Sequence, residues 1–355
     1  MANTTFGVND ALAVKKWARS LAVEALNATD IAPLIGNDAN SIIQRKTELK
    51  DGGDRVRIGL RMQLTGDGFT ENEAAEGNGE SLTLFSDDIV VNELGHVVGV
   101  ASKHTIDQQR VLFDLRMEAR DGLADWYAKR WSVSFFNQVC GYTAEANTKF
   151  TGLNAAVAPS STHHLYKGST KTDQGQGGSD TFTLDMIDKA VEIAKTVSPK
   201  IRPIRVNGAD KWVMYIHPFQ TTSLRTSTST GQWLDIQKAA MQGGQVSDNP
   251  IFTNALGEYH NVIIRESLDV TQGVHSSTGA PVATTRRAVL LGAQAACIAF
   301  GKQTGVGRFR WNEETYDHKR RLEVSAWTIH GLKKLQFNAS DFATVVVSTR
   351  AEAST

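Results

Sequence analysis

Two cysteines in 355 residues are too few for a disulfide framework or a structural zinc centre. Cys140 and Cys297 sit in the apolar phrases NQVCGY and QAACIAF, which predicts two buried, reduced thiols. Neither sign of charge is in excess, because 38 basic residues balance 38 acidic ones. A surface that grips nucleic acid through its phosphates is normally basic, so the balance argues against tight DNA binding by the whole surface. Long hydrophobic runs are missing too. The longest mostly apolar stretch, AVLLGAQAACIAFG (288–301), contains Gln294 and is too short to span a bilayer, so no membrane partner is expected. The opening MANTTFGVNDALAVKKW lacks the apolar centre of a secretory signal, and the expectation is a protein made and kept in a cytoplasm.

Catalytic signatures are equally scarce. The chain has no G-x-S-x-G elbow, no Walker-type phosphate loop and no H-E-x-x-H pair. GKQTGVGR (301–308) has neither the Lys-Ser/Thr ending of a phosphate loop nor dinucleotide-fingerprint spacing, and reads as a turn. His163 and His164 are adjacent, but no carboxylate or cysteine stands at ligand spacing, so they read as loop residues. Asp87 and Asp88 lack a second acidic pair or a histidine and read as a solvated strand face. No catalytic residue, cofactor or metal is expected.

What the sequence does have is a long ribbon. In DRVRIGLRMQL (54–64), Val56, Ile58, Leu60, Met62 and Leu64 alternate with Arg55, Arg57, Gly59, Arg61 and Gln63, the period of a strand with one buried face. A polar stretch (65–81) turns the chain, and LTLFSDDIVV (82–91) supplies a return strand. A lone two-stranded ribbon is marginal in water, so its apolar face needs a cover from this chain or from another copy. The turning stretch carries Asp67, Glu71, Glu73, Glu76 and Glu80 and no basic residue, while the strand before it carries Arg55, Arg57 and Arg61. An acidic tip on a basic stem suits an arm lying over neighbouring copies, and these eight residues are the candidate intersubunit contacts.

A long helix is expected to follow. Thr105 with Gln108 fits a capping box, and Leu112, Leu115, Ala119, Leu123, Trp126, Arg130, Phe135 and Val139 recur at steps of three to five. Gly141 offers the stop. About 36 helical residues would make a rod of roughly 54 Å. The Gly/Ser/Thr-rich stretch 158–180 reads as a flexible loop, and TLDMIDKAVEIAKTV (183–197) as an amphipathic helix. RPIRV and KWVMYIHP flank Asn207-Gly208, a hairpin signal, and a strand is expected around YHNVIIRES (259–267). A helix-prone piece holds GQWLDIQKAAM (231–241), followed by the loop GGQVSDNP. The C-terminal third is β-rich, with RRAVLLG (286–292), LEVSAWTIHGLKKLQF (322–337) and FATVVVS (342–348). With 41% hydrophobic and 21% charged residues the chain reads as globular, long enough for two or three cores.

This order of parts resembles the tailed-bacteriophage major capsid proteins of Hong Kong 97 type. The phrases MANTTFGVNDALAVKKWARSLAVEAL, GDRVRIGLRMQLTGDG, FDLRMEARDGLADWYAKRWSVSFFNQVCG, GQWLDIQKAAMQGG and NPIFTNALGEYHNVIIRES are similar, more closely, to the coat-protein family of the N-four-like phages. The resemblance implies an α+β capsid fold: an N-terminal arm (1–53), an extended β-hairpin loop (54–104), a spine helix and the first part of a peripheral domain (105–199), an axial domain (200–300), and a β-rich peripheral return (301–355). It implies a non-enzymatic subunit whose hexamers and pentamers tile an icosahedral shell around double-stranded DNA touched non-specifically. Portal, scaffolding or decoration proteins would be further partners, and assembly would take place in the host bacterial cytoplasm. A non-viral encapsulin-type cage is the alternative that the same fold allows.

Overall fold

A computed structural model describes residues 31–47, 49, 52–71, 73, 76–102, 105–107, 114–206, 208–226, 255–302 and 309–353. The expectations for the N-terminal helix-compatible segment, the GQWLDIQKAAM piece, the GGQVSDNP loop and most of GKQTGVGR lie outside the described residues. The elements used below are β1 (Ile43–Lys46), β2 (Arg55–Arg61), β3 (Leu84–Val90), β4 (Asn92–Ala101), α1 (Leu115–Val139), β5 (His164–Tyr166) and α2 (Leu184–Thr196). They continue with β6 (Ala209–Ile216), α3 (Pro218–Thr226), β7 (Ala255–Tyr259), β8 (Val262–Glu266) and β9 (Pro281–Leu291). The last are β10 (Ala296–Phe300), β11 (Arg310–Tyr316), β12 (Arg321–Lys334) and β13 (Thr344–Arg350).

Two sheets flank the helix α1. In the first, the long strand β12 pairs along one edge with β10 and β11 and along the other with β4, and β1 joins beyond β10. The second runs β5, β13, β9, β6, β8, β7. Its central strands β9 and β13 are nearly continuous apolar runs, Ala288–Leu291 and Val345–Val347, because helices and the other sheet bury both faces. The hairpin expected at Asn207-Gly208 forms, with Val206 opposite Ala209. The strand expected around 259–267 is β8, joined to β7 by a tight turn in which His260 and Asn261 take left-handed φ values of 49° and 61°.

The helix α1 runs Leu115–Val139, 25 residues or roughly 37 Å. Nearer the expected start Ile106 and Asp107 are helical, and residues 108–113 lie outside the described residues. Asp114 is extended, which precludes one unbroken rod of roughly 54 Å, and its carboxylate accepts the Arg116 amide at 3.0 Å, capping the helix. The Thr105 hydroxyl donates to the Ser102 carbonyl at 2.7 Å; Gln108, its expected partner in the capping box, and Leu112 lie outside the described residues. The buried row of α1 is Ala119, Leu123, Tyr127, Trp131, Phe135 and Val139, one residue every four. From Trp131 onward nearly every side chain is buried, since the helix enters the space between the sheets. Trp131 meets Phe300, Phe309 and His330 of the first sheet's region, and Phe136 meets Tyr215 of the second.

Gly141 ends α1 at φ 63°, and a Cβ there would lie 2.6 Å from Pro159, so only glycine fits. The helix-end carbonyls of Cys140 and Gly141 accept from Arg287 Nη1 at 3.2 and 2.6 Å. Arg287 also forms a buried ion pair with Asp173 at 2.6 Å. Both cysteines are buried and in no disulfide, as their surroundings predict, and burial pushes the Cys140 thiol up.

The stretch read as a flexible loop follows a defined path. Its β5 residues run parallel to β13, and Gln176 Oε1 accepts the Gly168 amide while its Nε2 donates to the Thr170 and Thr172 carbonyls. Polar side chains here satisfy backbone groups that composition alone leaves to water. His163 is buried against Ser160 and Thr162, and His164 bonds Ser348 and Tyr166. Burial, with Arg287 nearby, pushes His164 down to about 3, so both histidines are neutral packing groups.

Candidate intersubunit surface

The ribbon forms as its alternation predicts. β2 and β3 pair antiparallel from Arg55 opposite Val90 to Arg61 opposite Leu84. The strand period sorts its side chains cleanly. Toward the body point Val56, Ile58 and Leu60 with their partners Ile89, Asp87 and Phe85. Outward point Arg55, Arg57, Gly59 and Arg61 with Val90, Asp88, Ser86 and Leu84. Val56 and Ile89 are buried, and Ile58, Leu60 and Phe85 are half-covered by the core.

Three ties fix the root of the ribbon. The buried Asn154 amide pairs with Val90 like a strand neighbour, accepting its N–H at 3.0 Å and donating to its carbonyl at 2.7 Å. Val91 N donates to the Asp54 carbonyl at 2.9 Å. Asp87 forms an ion pair with Lys333 of β12 and accepts the Gln336 amide at 3.1 Å. The reading of Asp87 as a solvated residue is therefore corrected: its phase in β3 turns it inward. Asp88 does face solvent, but it is held by Arg57 through Nε at 2.7 Å and Nη2 at 2.9 Å. Those bonds keep the Asp88 carboxyl below its usual range and raise the Arg57 guanidinium.

Past the paired strands the ribbon continues through Met62 N donating to the Thr83 carbonyl at 3.0 Å. Glu80 then accepts the Thr65 and Gly66 amides, each at 2.8 Å, which holds its carboxyl below the usual range. Glu73 accepts the Thr70 amide at 3.1 Å. Of the eight candidate contacts, Arg57, Glu73 and Glu80 are thus engaged inside the ribbon. Arg55, Arg61, Asp67, Glu71 and Glu76 are exposed without such a tie in view. All eight side chains reach solvent, in one stem and one tip.

Along the same path bare apolar side chains appear in both phases of the ribbon, Leu64 in that of the body-facing residues and Leu82 and Leu84 in that of the outward ones. Leu64 is 55% exposed, Phe69 48%, Leu82 56% and Leu84 66%. Full burial of such a side chain from full exposure is worth about 1.5–3 kcal/mol, so covering these half-exposed ones would gain roughly half of that each. Sequence reasoning missed Asn154 and Lys333, the residues that anchor the ribbon root. They stand 64 and 246 residues from their partners, and no local pattern marks them.

Among the described residues no group of three or more His, Cys, Asp or Glu could hold a metal ion, and no helix is long and apolar enough to cross a membrane.

Comparison with known proteins gives a consistent answer. A family described as phage capsid protein matches residues 5–353. The chain is 26% identical to the major capsid protein of Pseudomonas phage KPP25, over 93% of each chain. It superposes on the capsid of Ralstonia phage GP4 with a TM-score of 0.79 and 31% identity, covering 100% of both chains. The capsid of cyanophage Pam1 shares the fold at a TM-score of 0.68 and 22% identity, over 93% of this chain and 94% of that one.

Proposed function

The chain belongs to the phage capsid protein family as a major capsid protein with an α+β fold of Hong Kong 97 type, and from that premise we propose how it builds a shell. Copies join as hexamers and pentamers into an icosahedral shell enclosing double-stranded DNA, assembled in the host bacterial cytoplasm. The role is structural and involves no catalysis. Residues 1–53 act as the arm, 54–104 as the extended loop, 105–199 as the spine and first peripheral part, 200–300 as the axial domain and 301–355 as the peripheral return. Portal, scaffolding or decoration proteins complete the particle, and DNA is touched non-specifically.

The observation that carries this reading is the ribbon, rooted in its own chain and bare at its far end. Leu64, Phe69, Leu82 and Leu84 are available to a neighbouring copy, framed by Arg55, Arg57 and Arg61 on the stem and by Asp67, Glu71, Glu73, Glu76 and Glu80 on the tip. The full-length family match favours a phage shell over a non-viral encapsulin-type cage.

Deleting 66–80 tests the reading. The expected outcome is a subunit with unchanged circular dichroism and melting that no longer yields particles in negative-stain microscopy. A deletion that unfolds the subunit would make the ribbon part of the core and defeat the proposal. Changing Arg55, Arg57 and Arg61 together to Glu is expected to lower particle yield most at low salt, since exposed charges are screened within ~10 Å at 0.1 M. Equal yield at every ionic strength would remove the charge argument.

A further inference from the structure

We infer that Asn78 is a site of spontaneous chemical ageing, where attack by the Gly79 amide nitrogen converts the side-chain amide into a carboxylate. The chain holds two Asn-Gly pairs, Asn78-Gly79 and Asn207-Gly208. Glycine has no Cβ to obstruct the approach of its nitrogen to the preceding side chain, so these pairs close the ring most readily. Local structure decides which of them reacts. The asparagine must rotate about its own backbone and side-chain bonds, and a backbone held in a ladder resists that opening. Asn78 and Gly79 are both exposed and lie in no helix, strand or turn. A Cβ placed on Gly79 would meet nothing within 4 Å, and its N–H makes no hydrogen bond among the described residues. The other pair joins strands that are locked together: Val206 faces Ala209, Arg205 faces Asp210 and Ile204 faces Lys211.

Asparagines that precede other small residues are held as well. Asn40, before Ser41, donates through Nδ2 to the Arg205 carbonyl at 3.1 Å and accepts the Arg205 amide at Oδ1 at 2.8 Å. Asn154, before Ala155, is buried and carries the two bonds to Val90 described above. At Asn78 the Gly79 nitrogen, on losing its proton, bonds to Cγ; the bond from Cγ to Nδ2 breaks and ammonia leaves, giving a five-membered imide. Water then adds to one of the two imide carbonyls, and that carbonyl's bond to the Gly79 nitrogen breaks. Opening at Cγ leaves aspartate, and opening at the backbone carbonyl leaves isoaspartate, with the chain running through the side chain. Nothing is oxidised or reduced, and water is the sole co-reactant. The new carboxylate falls between Glu76 and Glu80, in a stretch (65–81) with Asp67, Glu71 and Glu73 and no basic residue. Glu80 there accepts the Thr65 and Gly66 amides, so each aged copy gains an anion beside the group that ties the ribbon end together.

The test follows the freshly purified full-length chain, kept warm in mildly alkaline buffer and sampled over days by intact mass and peptide mapping. The expected result is a mass gain equal to the difference between a hydroxyl and an amino group, located at Asn78, with a more acidic species on ion exchange. Enzymatic methylation of isoaspartyl carboxyls with a labelled methyl donor is expected to mark the same peptide. In the folded chain Asn78 is expected to convert at least roughly tenfold faster than Asn207, and in the urea-unfolded chain at a similar rate. Gly79→Ala, which the open space accepts, is expected to slow the change at least roughly tenfold, a barrier rise of about 1.4 kcal/mol. Asn78→Gln is expected to abolish it, since the longer side chain would have to close a six-membered ring. Melting of both variants, unchanged from the parent, shows that the fold is intact. An Asn78 that keeps its amide while the urea-unfolded chain loses it overturns the proposal. So does conversion at Asn207 that matches or exceeds that at Asn78 in the folded chain, or a rate indifferent to Gly79→Ala.

Discussion

Replacing Arg287 with Met removes three interactions at the point where α1, β9 and the 158–180 segment meet. Arg287 and Asp173 are 5% and 1% exposed, and their pair is closed by Nη2 at 2.6 Å and Nε at 3.0 Å. Breaking a buried pair from one side costs about 3–5 kcal/mol, because the remaining charge is left in a dry site. The Gly141 and Cys140 carbonyls lose their donor as well, and each orphaned group costs about 1–3 kcal/mol. These terms share one side chain and do not simply add, so the expected loss is about 4–6 kcal/mol. The assay is urea unfolding of the 66–80-deleted, unassembled subunit at pH 7, followed by tryptophan fluorescence. Asp173→Asn added to Arg287→Met is expected to return about 1–3 kcal/mol by removing the stranded charge. Burial alone would raise the Asp173 carboxyl, but Arg287, Ser348 and the Val274 amide outweigh it and hold it low. The stabilisation it gives is therefore full above the unfolded pKa of ~3.9 and is lost as pH falls through the lower folded value. Without Arg287, desolvation dominates and the folded pKa rises above ~3.9, so the variant recovers stability as pH falls toward ~3.9. The gap between variant and parent should narrow from pH 7 to pH 4. A loss below about 1 kcal/mol at pH 7, or a gap indifferent to pH, would refute the assignment of Arg287 as the group that compensates the buried Asp173 charge.

Tyr127→Phe removes the hydroxyl that donates to the Ala326 carbonyl at 2.7 Å and lies 3.1 Å from the Leu94 carbonyl, joining α1 to β12 and β4. A loss of about 1–2 kcal/mol is expected in the same unfolding assay, since the acceptors remain inside. Burial pushes His330 down to about 4, where its Nε2 accepts the Trp131 indole N–H at 3.1 Å. That neutral ring stabilises the fold fully above the unfolded value of ~6.5, and the contribution is lost as pH falls through 4. His330→Gln, which keeps an acceptor but cannot titrate, is expected to give a flatter stability profile between pH 6.5 and 4; an unchanged slope would clear His330 of that role.

What the sequence makes legible is what local period encodes. Val56 to Leu64 alternate over a full strand, so the ribbon and its body-facing side follow directly. The return strand is harder, because Leu82 and Leu84 keep one phase while Phe85 and Ile89 keep the other. The pairing with β2 resolves that conflict in favour of Phe85 and Ile89, which turns Asp87 inward and leaves Leu82 and Leu84 bare. Capping has the same limit. The sequence offers Thr105 with Gln108 as the helix start, whereas α1 is capped by Asp114, and its buried row runs from Ala119 to Val139. The second half of α1 is legible as helix but only partly as core, since no local pattern says that Ser132, Ser134, Asn137 and Gln138 are buried along with the row ending at Phe135 and Val139. Arg287 and Asp173 lie 114 residues apart, and nothing near either residue announces the other.

The arrangement of ties along the ribbon explains how one element can be rigid and yet unfinished. The side-chain ties that join it to the body lie between Asp87 and Val90, at the root. From Met62 and Thr83 outward, the hydrogen bonds described above run within the ribbon itself, to the Thr83 carbonyl and the Glu80 carboxylate. A two-stranded ribbon is marginal by itself, so the outer part holds its direction from the root and has little energy to spare for holding its own apolar face dry. Neither Asp87 with Lys333 nor Asn154 with Val90 depends on residues 66–80. Loss of the tip should therefore leave the root and the core intact while removing the bare leucines' neighbourhood, and folding and assembly become separable in this chain. An arm loosened at the root would sample many directions and bury its tip only at an entropic cost; an arm fixed there delivers the same surface to the same place in every copy.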